Sequence, residues 1–163
     1  MIALFVRRAE KNDIPSLEKT YTDASIFLDE ERIPLPEGGF PGTERLNEYV
    51  EDGTLVAATD KDEKICGAAR LALRDDALEI SCLAFRHGYR GKGCSAAVFA
   101  YAARIAQSLG KKALRITADR RNHVMCMAAI RFGFRIIKYG PENTRVFEYA
   151  TDRAENGGEN EQI

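Results

Sequence analysis

Hydrophobic positions recur with two different periods along the chain, and each period predicts one kind of element. An apolar, β-prone run at 2–8 predicts a first strand. Apolar residues at helical spacing then follow a capping pair at 12–13 and predict a helix over 14–28. A loop at 33–42, with three prolines and three glycines, precedes a second predicted helix over 43–50. The pattern therefore predicts a strand followed by two helices in the first third of the chain.

The middle of the chain changes to a rhythm of strands. Apolar stretches at 54–59, 65–73 and 77–85 are separated by short turns rich in Asp, Glu and Lys. Turns this short join neighbouring antiparallel strands, because a parallel connection needs a much longer crossover. The three stretches therefore predict an antiparallel meander.

The pattern changes again after the meander, where the glycine-rich segment 87–93 leads into an Ala-rich helix that Gly110 ends. The remaining predicted elements are a strand at 113–118, a helix at 122–132, and strands at 134–138 and 144–149. This order predicts a mixed α/β chain with one domain over 1–150. The segment 151–163 has almost no apolar residues and is predicted to be a disordered acidic tail.

The charges are divided between two regions, although the 163 residues have a formal net charge of only −1. Residues 1–85 hold 10 Lys and Arg against 18 Asp and Glu, a net charge of −8. Residues 86–121 hold nine basic residues and one acid, Asp119, a net charge of +8. The basic block indicates either an anionic partner or a basic face in contact with water.

The four cysteines exclude some classes of protein. No pair has CxxC spacing, and His87 and His123 are the two histidines, so no metal site is predicted. Cys66 and Cys82 lie in apolar strand-like runs, which is typical of reduced buried thiols.

The N-terminal apolar run is too short for a signal peptide, and no stretch approaches the ~20 apolar residues of a membrane span. These features predict a cytoplasmic protein that does not bind a membrane.

The candidate chemistry lies in the segment Arg90-Gly91-Lys92-Gly93-Cys94-Ser95, between a strand and a helix. Glycines let the backbone approach an anion closely, and the first N–H groups of a helix have no internal partner. Phosphate is the natural ligand of such a loop. The segment lacks both GxxxxGK[ST] and GxGxxG, which disfavours a P-loop NTPase and a Rossmann site.

The same residues resemble the GCN5-related N-acetyltransferase (GNAT) family. That family's phosphate motif, Gln/Arg-x-x-Gly-x-Gly/Ala, is matched by Arg90 and Gly93, with Ser95 at the position of Gly or Ala. The family often has an Asn eleven residues before a Gly-Phe pair, and here Asn122 precedes Gly133-Phe134 at that spacing. The resemblance therefore rests on two features, the phosphate motif and the distance in sequence from Asn122 to Gly133-Phe134.

The resemblance covers roughly 2–149 and implies the fold and the cofactor. The implied fold is a mixed, mostly antiparallel sheet flanked by helices, with a V-shaped opening between the strands at 77–85 and 113–118. The implied cofactor is acetyl-CoA, with its pantetheine arm along Leu83, Ala84 and Phe85, near Asn122. Its pyrophosphate would lie over the backbone of Arg90, Gly91, Lys92, Gly93, Cys94 and Ser95.

The resemblance fails at the general acid. Many family members carry a Tyr four residues before the Gly of Gly-Phe, and here that position is Ala129. Cys126, three residues earlier on the helix, is a candidate acid, or else a packed small residue. Tyr139 is a second candidate that nothing in the sequence places near the site.

The candidate general base is Glu79, on the strand before the loop, where some family members carry a catalytic Glu. The alternative is a strand carboxylate that faces water. Strand alternation predicts that Glu79, Ser81 and Leu83 share a face, unless a bulge shifts the register.

These features predict an acetyl-CoA-dependent N-acetyltransferase that acts on an amine of a small molecule or peptide by direct attack on the thioester. The alternative, suggested by Ala129, is a non-catalytic acyl-CoA-binding or regulatory module. A nucleic-acid-binding domain is disfavoured because the basic block coincides with the phosphate loop and no known binding motif is present. The acidic region 1–85 favours a cationic acceptor, and both a monomer and a homodimer remain open.

Overall fold

The computed structural model describes residues 3–152, and its elements follow the predicted order. The strands are β1 (Phe5–Arg8), β2 (Leu55–Thr59), β3 (Ile65–Arg74), β4 (Ala77–Phe85), β5 (Ala113–Asp119), β6 (Arg135–Tyr139) and β7 (Thr144–Ala150). The α-helices are α1 (Ile14–Glu30), α2 (Thr43–Glu51), α3 (Cys94–Ser108) and α4 (His123–Phe132). A 3-10 turn at Lys11–Asp13 precedes α1, which has Pro15 in its first turn.

The strands form one seven-stranded sheet in the order β1-β2-β3-β4-β5-β7-β6. All neighbours are antiparallel except β4 and β5, which are parallel. This arrangement confirms the predicted mixed, mostly antiparallel sheet with helices on its faces.

Each face of the sheet carries its own hydrophobic core. The buried stripe of α1, at helical spacing, packs with Leu46 of α2 against Leu55 and Ala84 of the sheet. On the opposite face, Phe99 of α3 and Ala129 of α4 pack against strand residues such as Leu114 and Phe147. The sheet is therefore the middle layer between two pairs of helices.

The parallel strands β4 and β5 pair over only part of their length. Their register runs from Ala77 opposite Ala113 to Ile80 opposite Ile116, and none of their later residues pair with each other within 3–152. Beyond Ile80 the two strands diverge and leave a gap in the middle of the sheet. The V-shaped opening implied by the family resemblance is present at this gap.

Strand β4 contains a bulge at Cys82 and Leu83, which together oppose Ala69 of β3. Cys82 has a φ of 51°, in the left-handed region. Past the bulge, Leu83 packs in the core on the α3 face, whereas Cys82 packs against the core on the α1 face. The expectation that Leu83 shares a face with Glu79 and Ser81 is therefore wrong, because the bulge inserts one residue into the alternation.

Thr151 belongs to the folded part of the chain, although the sequence assigned it to the tail. It is buried, its N–H donates to the backbone oxygen of Lys112 at 3.0 Å, and its hydroxyl donates to that of Lys111 at 2.7 Å. The rest of the predicted tail, from residue 153, lies outside the described residues. Across 3–152, no helix combines the length and the apolar character needed to cross a membrane.

Candidate active site

The loop between β4 and α3 holds three glycines in left-handed backbone conformations. Gly88, Gly91 and Gly93 have φ values of 92°, 70° and 79°, which residues with a Cβ rarely adopt. Gly93 is also the N-cap of α3 and has no side chain to accept from the first N–H groups of the helix. A Cβ placed on Gly91 would meet no atom within 4 Å. The loop therefore presents open space and donor groups at the positive end of a helix dipole, which fits a phosphate group.

Arg90 of this loop is bound to α1. Its Nη2 donates to Oδ2 of Asp23 at 3.0 Å and to the backbone oxygen of Asp23 at 3.1 Å. Its guanidinium carbon lies 4.6 Å from the centroid of the Phe27 ring, and the carboxylate of Asp23 also accepts the N–H of His87. The side chain of Arg90 therefore fixes the loop to α1, and its charge is paired with that of Asp23.

Other members of the basic block are also paired within the protein. Arg115 forms ion pairs with Asp76 at 3.2 Å and with Glu148 at 2.9 Å. Arg121 pairs with Asp119 at 2.8 Å. The surplus of +8 in 86–121 is thus partly neutralised, whereas Lys92 in the loop stays exposed.

A groove of about 2040 Å³ crosses the sheet at the gap between β4 and β5. One half, the α1 side, is lined by α1, α2, the loop 33–42 and β3, and the other half, the α3 side, by the phosphate loop, α3 and α4. The predicted site residues that line it are Glu79, Leu83, Ala84, Phe85, Arg90, Gly91, Gly93, Cys94, Ser95 and Asn122. Most small-molecule sites have a volume of about 300–1,000 Å³. The groove is larger than this, so it has room for two substrates.

Strand β4 turns backbone N–H groups toward the gap, where it pairs with no residue of β5 beyond Ile80 within 3–152. The N–H of Arg86 donates to the backbone oxygen of Cys66 in β3 at 2.8 Å. Successive N–H groups of a strand point in opposite directions, so those of Phe85 and Leu83 point away from β3. An N–H in this position can donate to a carbonyl oxygen and stabilise negative charge that develops on it.

Gly67 of β3 lies opposite Phe85 and makes room for its ring. A Cβ on Gly67 would lie 2.5 Å from Cε1 of Phe85, too close for two carbon atoms. The glycine therefore determines where the Phe85 ring lies, next to the backbone that faces the gap.

Glu79 and Asn122 line the groove from different elements. Glu79 of β4 lies 3.4 Å from Arg74, measured from Oε1 to Nε, and its side chain is 34% exposed. Asn122 is the N-cap of α4, and its Oδ1 accepts the N–H of Met125 at 3.2 Å. The amide nitrogen of Asn122 is thus the part of its side chain left for a ligand.

The candidate acids lie outside the groove. The thiol of Cys126 donates to the backbone oxygen of Asp119 at 3.5 Å, and burial raises its pKa. Ala129 is fully buried in the core on the α3 face, and Tyr139 is 71% exposed on β6. None of these three is among the described residues that line the groove.

The α1 side of the groove presents arginines that belong to none of the motifs in the sequence. They are Arg45 of α2, together with Arg70 and Arg74 of β3. The alternation of RLALR at 70–74 marks one polar strand face, but nothing in the sequence brings Arg45 next to it.

The acidic surplus of residues 1–85 lies mostly away from the groove. Of its 18 acids, those that line the groove are Glu37 and Glu79. The groove therefore does not carry the negative charge on which the expectation of a cationic acceptor rested.

Comparison with known proteins gives a family and a fold. The model of the acetyltransferase (GNAT) family matches residues 19–134. A search among curated proteins found no match to the sequence. The structure is similar to PaiA N-acetyltransferase from Thermoplasma acidophilum in complex with coenzyme A, with 14% identity over 91% of this chain and 99% of that chain, and a TM-score of 0.69.

Two further solved structures share the fold. Spermidine N-acetyltransferase from Vibrio cholerae, in complex with CoA and spermine, has 13% identity over 94% of this chain and 98% of that chain, and a TM-score of 0.70. N-acetylglutamate synthase from Neisseria gonorrhoeae, with coenzyme A and N-acetyl-glutamate, has 20% identity and a TM-score of 0.69, over 93% of this chain but 36% of that chain.

The family match spans well over half of the chain and includes the phosphate loop, the gap and the helix that follows Asn122. The chain belongs to the acetyltransferase (GNAT) family, and it is an N-acetyltransferase that takes its acetyl group from acetyl-CoA.

Proposed function

We propose that the protein acetylates the amine of a small molecule or peptide, and that the amine attacks the thioester directly within a ternary complex. The observation that carries this proposal is the gap between β4 and β5 beside the phosphate loop. The groove joins both faces of the sheet at this gap, so an acceptor on the α1 side can meet a cofactor on the α3 side. When bound, acetyl-CoA supplies the activated acetyl group and leaves as the thiolate of coenzyme A, which takes a proton from water.

The residues of the α3 side supply the contacts for the cofactor. The backbone N–H groups from Arg90 to Ser95, with the exposed Lys92, would hold its pyrophosphate. Its arm would continue the sheet along Leu83, Ala84 and Phe85, near the amide nitrogen of Asn122. The N–H of Phe85 would then donate to the thioester oxygen.

Proton transfer falls to Glu79 in this proposal. An amine must lose a proton to attack, and Glu79 is a carboxylate that lines the groove close to the gap. It would accept the proton directly or through a water molecule.

The leaving group needs no acid residue. A thiol with a pKa of about 8.5 can leave as a thiolate at neutral pH without a proton from an acid residue. Cys126 would have to leave the core to serve as the acid, because it is buried and bonded to Asp119.

A location in the cytoplasm belongs to the same proposal. All four cysteines are free, and three of them are buried. Free thiols of this kind are typical of proteins in reducing compartments.

Thermal unfolding with and without acetyl-CoA tests the site. Acetyl-CoA at 100 times its Kd should stabilise the folded state by about 2.7 kcal/mol. Gly93→Glu should abolish this shift, because it adds bulk and negative charge where the pyrophosphate would lie. Gly110→Glu is the matched control, since Gly110 is also exposed with a φ of 70° but lies outside the groove.

Release of coenzyme A from a panel of amines tests the reaction itself. A normal shift with Gly110→Glu and none with Gly93→Glu, together with turnover of an amine, supports the proposal. Acetyl-CoA binding without any turnover would instead favour the non-catalytic module.

A further inference from the structure

Two arginines and a tyrosine line the α1 side of the groove, and we refer to them as the cluster. Arg45 and Tyr49 are four residues apart on α2, so their side chains emerge from the same helix face. Arg70 of β3 stacks on the Tyr49 ring, with 4.0 Å between its guanidinium carbon and the ring centroid. All three residues line the groove, so the cluster offers two guanidinium groups to a ligand.

The cluster lies beside the bulge of β4, close to the gap. Arg70 is directly opposite Ser81 in the sheet. Burial raises the pKa of the Cys82 thiol, and the Ser81 side chain and the charges of Arg45 and Arg70 oppose this increase. Arg70 is therefore next to the bulge residue Cys82, which is three residues from Phe85, and Arg45 lines the same groove.

Arg45 has no anionic partner among residues 3–152. Its Nη1 donates to the backbone oxygen of Gly38 at 2.7 Å and its Nη2 to that of Gly39 at 3.1 Å. Its Nε is buried and has no hydrogen-bond partner in the described part of the chain. A guanidinium has five N–H donors, so most of those of Arg45 remain unused. A half-buried cation in this state is stabilised by an incoming anion.

The other arginines on this side have acidic neighbours. Arg70 donates to Oγ1 of Thr54 at 3.1 Å and lies 3.7 Å from Asp52, while Arg74 pairs with Glu79 at 3.4 Å. Glu37 also lines the groove, but it is exposed and forms no ion pair with Arg45. Among the three arginines on this side, Arg45 is thus the one without an acidic neighbour within 3–152. Its positive charge can be matched by one negative charge on the ligand.

We propose that the acceptor is an amine that also carries a carboxylate, as an amino acid does, and that Arg45 and Arg70 bind this carboxylate. The inference rests on the proposed acetylation and names its substrate class. A guanidinium matches the geometry of a carboxylate with two parallel hydrogen bonds. A carboxylate held at the cluster leaves an amine a few bonds away, toward the gap and the N–H of Phe85. The proposal replaces the sequence-based expectation of a cationic acceptor.

The experiment compares matched pairs of acceptors. Free amino acids and their α-carboxamides are incubated with the full chain and acetyl-CoA, and released coenzyme A is quantified. The pairs differ in the carboxylate and share the amine. We expect at least one free acid to be acetylated, with kcat/KM at least about tenfold above that of its amide.

Variants assign the preference to the cluster. Arg45→Met and Arg70→Met should raise KM for the acid by at least about tenfold and KM for the amide by a smaller factor, so that the preference for the acid falls. Arg70→Lys should recover part of the preference, because Lys keeps the charge but not the two-pronged geometry. Lys19→Met is the control, since it removes one charge from an exposed position of α1 outside the groove. Using both arginines keeps the test valid if Arg45→Met disturbs the loop 33–42.

Product binding covers the case in which no amino acid of the panel turns over. N-acetyl amino acids and their carboxamides are then added to the chain with coenzyme A, and thermal unfolding is recorded. Stabilisation by the acids and not by the amides supports the proposal. Equal effects of acid and amide, in turnover or in unfolding, or a preference that both Met variants retain, overturn it.

The experiment distinguishes a failure of the proposed acetylation from a failure of the proposed substrate class. If no amine of any class releases coenzyme A, the proposed function is contradicted. If neutral or cationic amines are acetylated while carboxylates make no difference, the proposed function stands and only the substrate class is wrong.

Discussion

The guanidinium of Arg90 and the carboxylate of Asp23 form an ion pair of 3.0 Å that joins the phosphate loop to α1, across 67 residues of sequence. Asp23 also accepts the N–H of His87 from the same loop. The loop is therefore held in its shape by the protein itself. A site organised in advance loses less entropy when a ligand binds.

Arg90→Met should lower the free energy of unfolding by about 1 kcal/mol, because Asp23, whose side chain is 35% exposed, loses a charged partner. Affinity for acetyl-CoA should fall by less than about tenfold, because the loop loses one of its two contacts with Asp23 but keeps the N–H group of His87 on that carboxylate. Denaturant unfolding and calorimetric titration measure the two quantities. Arg135→Met, on exposed strand β6, is the control. A large loss of affinity with normal stability would instead mean that the side chain contacts phosphate.

Gly67→Ala should destabilise the protein by about 1–3 kcal/mol, because the new methyl group meets the Phe85 ring. Combining it with Phe85→Leu should cost less than the sum of the two single changes, since the smaller side chain relieves the crowding. Denaturant unfolding of the four proteins in the cycle measures this coupling. Additive costs would show that Gly67 does not position Phe85.

Stability at alkaline pH should depend on Cys66. Burial raises the pKa of its thiol to about 12, whereas the unfolded chain has a cysteine pKa of about 8.5. Between these values the unfolded chain has lost the proton and the folded protein still holds it. The stabilising contribution is therefore complete below about pH 8.5 and decreases as the pH rises toward 12.

The measurement compares Cys66→Ala with the wild type at pH 8 and pH 10, by denaturant unfolding in the presence of a reductant. The wild type should lose about 1–2 kcal/mol more than the variant between the two pH values. Equal losses would mean that Cys66 ionises in the folded protein as easily as in the unfolded chain.

Ala129→Tyr should not restore a general acid. Ala129 is fully buried in the core, so a phenol ring there would be overpacked, with a cost of about 1–3 kcal/mol or more. Ala128→Tyr is the comparison, because Ala128 is only half-buried and lines the groove. The measurements are thermal unfolding and the rate of coenzyme A release. A stable Ala129→Tyr protein with faster turnover would contradict the prediction.

The order and type of the elements were predictable because hydrophobic period and turn residues are local signals. Strand β4, for example, was predicted with the bounds that it has. The bulge within it was not, because Cys82 adopts a φ of 51° that no local residue type demands. This single insertion exchanged the faces of Leu83 and its neighbours, as a shift of one residue always does in a strand.

The two halves of the site differ in how far the sequence reveals them. The phosphate loop is contiguous, so its glycines and the following helix mark it in the sequence. The arginine cluster is assembled from α2 and β3, and the contact between Arg70 and Tyr49 joins β3 to the helix that carries Arg45. Likewise, the partner of Arg90 lies 67 residues away, so the role of its side chain could not be inferred from the motif.

The short pairing of β4 with β5 has a consequence for how the protein exchanges hydrogen with solvent. The amides of Leu83 and Phe85 lie in the middle of a seven-stranded sheet, yet no strand within 3–152 pairs with them on the side of the gap. They should exchange with deuterium at rates typical of a surface loop, while Ile80, at the end of the paired stretch, stays protected. A cofactor arm in the gap would slow exchange at Leu83 and Phe85, so the centre of the sheet should report occupancy more sensitively than its edges.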